Sequence, residues 1–274
     1  MSATKLPPPS VRWDLSVLFD SITDPRIEKS WSELGGRMDA FEQAYRGRVA
    51  ELSASELATA IAELESIAQT ASKPVQFAQL LFACDALSAE VGAFMQGQMM
   101  KASELRVKLM FFELELQKVP NDKINQLVSD PDLESYRHFI TTTRASSPFM
   151  LSEKEEVIFE ETSNTGGRAW ERFFDEVTAK HEYIYVAPGA DEANILSQEE
   201  VLTLLRDPNR EVRIAAADSF TVGLTQMEHS LTYIYNTLLL EKSISDRLRG
   251  HANPEEGRHI SNELTKEIVD IVVD

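Results

Sequence analysis

Apolar positions recur three and four residues apart along almost the whole chain, the period of one helical face. Ile27, Trp31, Leu34, Met38, Phe41 and Tyr45 make one such stripe, opened by Asp24-Pro25, a capping side chain followed by proline at the first helical position. A second helix is expected from Ser55, with Leu57, Ile61, Leu64, Ile67 and Ala68 inward and an interruption at Lys73-Pro74. A long Met- and Leu-rich stretch from Val75 to Lys118 predicts one helix, or two meeting near Gly92 or Gly97. Shorter helices follow over Asn121 to Val128 and Pro131 to Thr143.

Ser152 and Glu155 form a capping box that opens another helix at Leu151. Asn164-Thr165-Gly166-Gly167 breaks it, and it resumes from Arg168 to Glu176 with Trp170, Phe173 and Phe174 expected inside. From Thr178 to Val186 the period drops to two, a turn follows at Pro188-Gly189-Ala190-Asp191, and Asn194 to Leu196 can return as a strand. Ser197 and Glu200 form a second capping box, for a helix ending near Arg206. Asp207-Pro208 opens a helix or helix pair that Gly250 stops, and a final helix runs from Glu263. The expected fold class is mainly α, a multi-helix assembly with one small β-hairpin near residues 178–196.

With 274 residues, 43% hydrophobic and 26% charged, the composition is that of an ordinary globular chain. The formal net charge of −18 opposes binding to nucleic acid or to an anionic membrane, where a basic patch supplies most of the affinity. Residues 151–200 alone carry 13 acidic and 4 basic residues. The start MSATKLPPPSVRWD shows no export signal, and no apolar run is long enough to cross a bilayer, so a cytoplasmic protein is expected. Cys84, in the context QLLFACDAL, is expected to be a small core hydrophobe.

The stretch Lys180 to Val186, KHEYIYV, begins like half of H-E-x-x-H, in which two histidines one helical turn apart hold zinc. Here Tyr185 stands where the second histidine belongs. On a strand His181 and Tyr185 would lie ~13 Å apart, too far to share a metal. His138, His229, His251 and His259 are scattered, and His229 with Tyr233 is expected to be a partly buried polar pair on one helical face. Thr165-Gly166-Gly167 lacks the Lys and Ser/Thr of a phosphate loop. Glu153, Glu156 and Glu160 share a helical face that could bind a hard cation, although a solvated face is the expected role. Met95, Met99, Met100 and Met110 could line an adaptable groove, but core filling is the expected role. No residue is assigned as catalytic, metal-binding or substrate-binding; Trp170, Tyr233 and Tyr235 are equally well explained by packing.

Two stretches carry a resemblance. Residues 151–177, LSEKEEVIFEETSNTGGRAWERFFDEV, resemble a segment of the oligoendopeptidase F-type zinc peptidases, relatives of thimet oligopeptidase, at Leu151, Ser152, Glu155, Glu156, Thr162, Thr165, Gly166, Ala169, Trp170, Phe174, Asp175 and Glu176. The run LSQEEVLTLLRDPNREVRIAAADSF is similar to that family's entry into its peptidase domain, and the opening WDLSVLFDS to its usual start. The resemblance implies an N-terminal helical region over 1–112, a family N-terminal domain over 113–190 and the beginning of a peptidase domain over 197–274. It implies a wall of an enclosed cavity in which short peptides are cut. Zinc would be held by a motif C-terminal of this stretch, so none is expected on these residues. Residues 1–274 alone are expected to be inactive, to have the catalytic half as their partner, and to expose apolar surface where that half would pack. The alternative is a free-standing, non-catalytic helical binding protein descended from such a peptidase; the last helix, with no stop signal before Asp274, weighs against it.

Overall fold

The computed structural model describes residues 13–274; the first twelve, which hold the leader and the absence of an export signal read from it, lie outside the described residues. Helix α1 (Pro25–Tyr45) begins where Asp24 caps it, the carboxylate accepting from the Arg26 amide at 2.9 Å. Its stripe packs against α2 (Ala54–Cys84), and both pack against α3 (Ala89–Lys118). Phe41, Phe111 and Phe112 pack at tilted angles at the centre, the Phe111 and Phe112 centroids 6.0 and 5.3 Å from that of Phe41. Each such buried aromatic contributes on the order of 2 kcal/mol from burial alone. Trp31 Nε1 donates to the buried Gln98 Oε1 at 2.8 Å, which fixes the register of α1 on α3.

Four expectations for this half are corrected. The second helix begins one residue earlier, at Ala54, because Ser53 and Glu56 form the capping box. Pro74 does not interrupt it: proline costs a helix interior about 3 kcal/mol, but here the ring is itself buried, as are Ala71, Phe77 and Ala78 on the same helix, and that burial offsets the cost. The long stretch divides at Asp85 to Ser88, with Ser88 capping α3, and not at Gly92 or Gly97, which lie inside α3. Cys84 is exposed, because it is the last residue of α2 and faces away from the buried Phe82.

Helix α4 (Asn121–Val128), a 3₁₀ turn at Pro131–Tyr136 and α5 (Arg137–Ala145) close one end of this core with Ile124, Leu127, Leu133 and Ile140. The expected Pro131 to Thr143 helix is thus two pieces of different pitch. Helix α6 (Glu153–Ser163) crosses α3, and α7 (Gly167–Lys180) follows the turn at Asn164 to Gly166. Strands β1 (Tyr183–Val186) and β2 (Ala193–Leu196) pair antiparallel, Tyr183 opposite Leu196, so Thr178 to Lys180 end a helix where strand was expected.

Helix α8 (Gln198–Leu204) starts at the Ser197–Glu200 capping box. A single helix, α9 (Arg210–Arg249), then runs about 60 Å. Its cap is Asn209 rather than Asp207, whose carboxylate instead accepts from the Asn209 amide. Gly250 ends it at φ 80°, a left-handed position at which any side chain is strained. Ala216, Ser219, Gly223 and Met227 form the α9 stripe that carries the hairpin, tied by Ser219 Oγ donating to the Ile184 carbonyl at 2.7 Å. Helices α10 (Glu256–Ser261) and α11 (Lys266–Val273) end the chain, the latter capped by Thr265.

Candidate functional site

Two open cavities flank α3 and share Met99 and Arg168 in their walls. The first, about 820 Å³, lies between α3, α6 and the end of α9, and Met99, Met110, Phe149 and Phe159 supply apolar wall. The second, about 910 Å³, lies between the start of α3 and α7, and Met95, Met99 and Met100 line it opposite Phe173 and Phe174. The expected core role of the methionines is therefore corrected. None of the four is buried, and Met100 is 51% exposed, because α3 meets α1 and α2 on one side only. Phe173 and Phe174 likewise face the cavity, 42% and 45% exposed, where inward packing was expected. Trp170, half-buried, packs edge-on against Phe173 and 5.3 Å from the Tyr233 ring.

The partition between the cavities is an ion-paired cluster around Glu160, which is buried. Ser103 Oγ and Arg168 Nη1 each donate to Glu160 Oε1 at 2.8 Å, and Arg106 Nε lies 3.3 Å from Oε2. Asn164 completes it, donating to Ser103 Oγ at 2.9 Å and accepting from Arg168 at 3.1 Å. Burial pushes the Glu160 carboxyl upward, but the hydrogen bonds from Arg168 and Ser103 and the two guanidinium charges more than offset it and hold the carboxyl below its ordinary range. Glu156 behaves in the same way. Burial raises it, the Arg249 guanidinium at 2.7 and 2.8 Å and the Leu151 amide lower it, and the lowering wins. Glu153 pairs with Arg46 at 2.6 Å. The expected solvated acidic face is therefore an arginine-binding face.

The histidines do not converge. His181 caps the C-terminus of α7 instead of lying on the strand, and its ring packs edge-on against Tyr183 at 4.7 Å. Tyr183 and Tyr185 are both buried by the strand's alternation. His229 and Tyr233 are exposed, where a partly buried pair was expected. His138 meets Glu263 at 3.1 Å, and His251 stacks on Phe149 at 4.1 Å. Among the described residues no three His, Cys, Asp or Glu side chains come together at metal-binding distance, so no residue here is assigned to a zinc ion.

The family model described as Oligopeptidase F matches residues 115–183. The chain is 23% identical over 263 residues to the group B oligopeptidase PepB of Streptococcus agalactiae, covering 96% of this chain and 43% of that protein. It is 21% identical over 234 residues to the oligopeptidase PepF of Bacillus subtilis, covering 84% and 34%. The crystal structure of oligoendopeptidase-F from Enterococcus faecium superposes with a TM-score of 0.76 at 20% identity, covering 91% of this chain and 49% of that one. The chain thus spans less than half the length of these relatives. It is similar to the N-terminal part of oligoendopeptidase F-type peptidases, as the motifs in residues 151–177 imply.

Proposed function

We propose that this chain is the N-terminal portion of an oligoendopeptidase F-like zinc metalloendopeptidase that cleaves short peptides in the cytoplasm, and that it forms one wall of the substrate cavity. The observation that carries the reading is the fold likeness to oligoendopeptidase-F, at a TM-score of 0.76 over 91% of this chain and 49% of the other. The zinc would supply Lewis-acid activation of a water; its ligands are assigned to none of residues 13–274. No described helix is long and apolar enough to cross a membrane.

The exposed apolar side chains support a partner half. Tyr235, Leu239, Leu240, Ile244 and Leu248 stand out on the C-terminal half of α9, and Ile268, Ile271, Val272 and Val273 on α11. Apolar side chains exposed along two helices in this way fit a face that further protein covers. The test compares purified residues 1–274 with the reading frame extended in the source gene. The short chain should leave internally quenched octapeptides intact, and the extended product should cut them in a chelator-sensitive way. Chelator-sensitive hydrolysis by residues 1–274 alone, or a frame that closes after codon 274, would refute the reading.

A further inference from the structure

The groove between α3 and α7 has a chemistry more specific than a bare apolar wall. Its floor is made of Met95, Met99 and Met100, long unbranched side chains that adapt to different apolar shapes. Phe82, Phe173 and Phe174 face them. The two arginines at its edge are already committed within the protein. Arg168 is held by Glu160, and Arg172 donates to Glu176 at 2.7 Å while its guanidinium lies over the Phe82 ring at 5.8 Å. The remaining carboxylates at its edge, Glu171, Asp175 and Glu199, have no ion-pair or hydrogen-bond partner for their side chains among the described residues. Crowding by the groove walls pushes the Asp175 carboxyl upward, with no cation beside it to offset the effect.

We infer that this groove binds a short cationic peptide, seating a bulky apolar side chain among the methionines and placing a neighbouring positive charge against Glu171, Asp175 and Glu199. The inference rests on the peptidase reading above for the choice of a peptide, and on the groove alone for its apolar and cationic character. An acidic peptide would meet three free carboxylates and no free arginine, so the groove selects by repulsion as well as by attraction.

The experiment is calorimetric titration of the 274-residue chain with three blocked hexapeptides: one with two phenylalanines and two arginines, one with glutamates in place of the arginines, and one with alanines in place of the phenylalanines. The first should bind roughly tenfold tighter than either of the others, and its advantage over the acidic peptide should shrink in high salt. Met100→Ser and Phe174→Ser, both at exposed positions, should each weaken the first peptide several-fold without moving the melting temperature. Glu171→Gln with Asp175→Asn should remove most of the preference for arginine. Equal binding of cationic and acidic peptides overturns the proposal. So does an absence of binding, or a groove filled by a second copy, seen as a dimer that Met100→Ser dissociates. The peptide comparison on the unmutated chain decides the matter even if a variant fails to fold. The two readings fail separately. Selective binding without hydrolysis by the extended protein removes the peptidase reading and leaves the groove. Hydrolysis whose peptide preference is indifferent to Met100 and Phe174 removes the groove and leaves the peptidase.

Discussion

Gly223→Ala sets two effects of opposite sign against each other. In a helix interior, alanine in place of glycine stabilises by about 1 kcal/mol. At this site a Cβ would stand 2.4 Å from Tyr183 Cε1, 2.5 Å from Cδ1 and 2.9 Å from His181 Nε2. Carbon pairs favour about 3.5–4.0 Å, so the new methyl overlaps the ring by more than an ångström. Tyr183 has little room to yield. It is 0% exposed, stacks on Phe220 at 5.5 Å, meets His181 edge-on and donates its hydroxyl to Gln198. Relief therefore requires β1 to lift from α9. Overpacking of this kind costs about 1–3 kcal/mol, and the overlap here points to the upper end, so the net loss should be roughly 2 kcal/mol. Thermal unfolding followed by circular dichroism should show a melting temperature lower by about 4–8 °C. In a Tyr183→Val background, which removes the two nearest contacts and leaves only His181 Nε2 at 2.9 Å, the same Gly223→Ala change should cost far less than in the parent. A Gly223→Ala protein that melts higher than the parent, or an equal loss in both backgrounds, would refute the argument that this glycine exists to admit the tyrosine ring.

The remaining predictions concern charge, capping and the thiol. Glu160 is held below the ordinary glutamate value of 4.5, so its ion pairs contribute stability that is present above that value and lost as pH falls through the lower folded-state value. Glu160→Gln should accordingly melt well below the parent at pH 7, and the gap should narrow steadily in titrations below 4.5; a gap independent of pH would show that the hydrogen-bond geometry, not the charge, matters. Glu241 accepts from the Gly167 amide at 3.1 Å at the start of α7, so Glu241→Ala should cost about 0.5–1 kcal/mol in a denaturant melt. Since the Glu241 carboxylate is also what a Cβ at Gly167 would meet, at 2.8 Å, Gly167→Ala should be better tolerated in that variant than in the parent. Cys84 should react with a thiol reagent in the folded protein about as fully as in urea, and protection in the native state would contradict its exposure at the end of α2.

What was legible in the sequence was what short-range chemistry decides. Asp24-Pro25, Ser152 with Glu155 and Ser197 with Glu200 mark three helix starts, because a cap and its partner lie within one turn of each other. The period-two run located the hairpin to within a few residues, although Thr178 to Lys180 belong to α7, where the Thr178 hydroxyl bonds back to the Phe174 carbonyl at 2.9 Å. The break at Asp85 to Ser88 carries no glycine; its signal is Ser88, which accepts from the Val91 amide. Pro74 could not be judged from the chain, because its tolerance depends on burial that only the packed helices supply. The methionines of α3 and Phe173 and Phe174 have the spacing and the apolarity of core residues. Only the absence of a neighbour on their side among the described residues turns them into a groove, and that is a property of the assembly.

The acidic segment shows the same limit from the side of electrostatics. Counting charges over residues 151–200 finds a large excess of carboxylates and suggests repulsion or a cation site. The fold gives two groups among them different work. Glu153, Glu156 and Glu160 receive Arg46 from beyond α1, Arg249 from the end of α9, and Arg168 with Arg106 from α7 and α3, so α6 becomes the element at which distant helices are fastened. Two of those pairs are substantially desolvated, where removing one partner leaves a buried charge and costs far more than a surface pair is worth. The arginines consumed in this way are unavailable to the groove beside α7. The carboxylates of Glu171, Asp175 and Glu199 therefore set its sign, and the pairing that fastens α6 also determines what the groove beside α7 can attract.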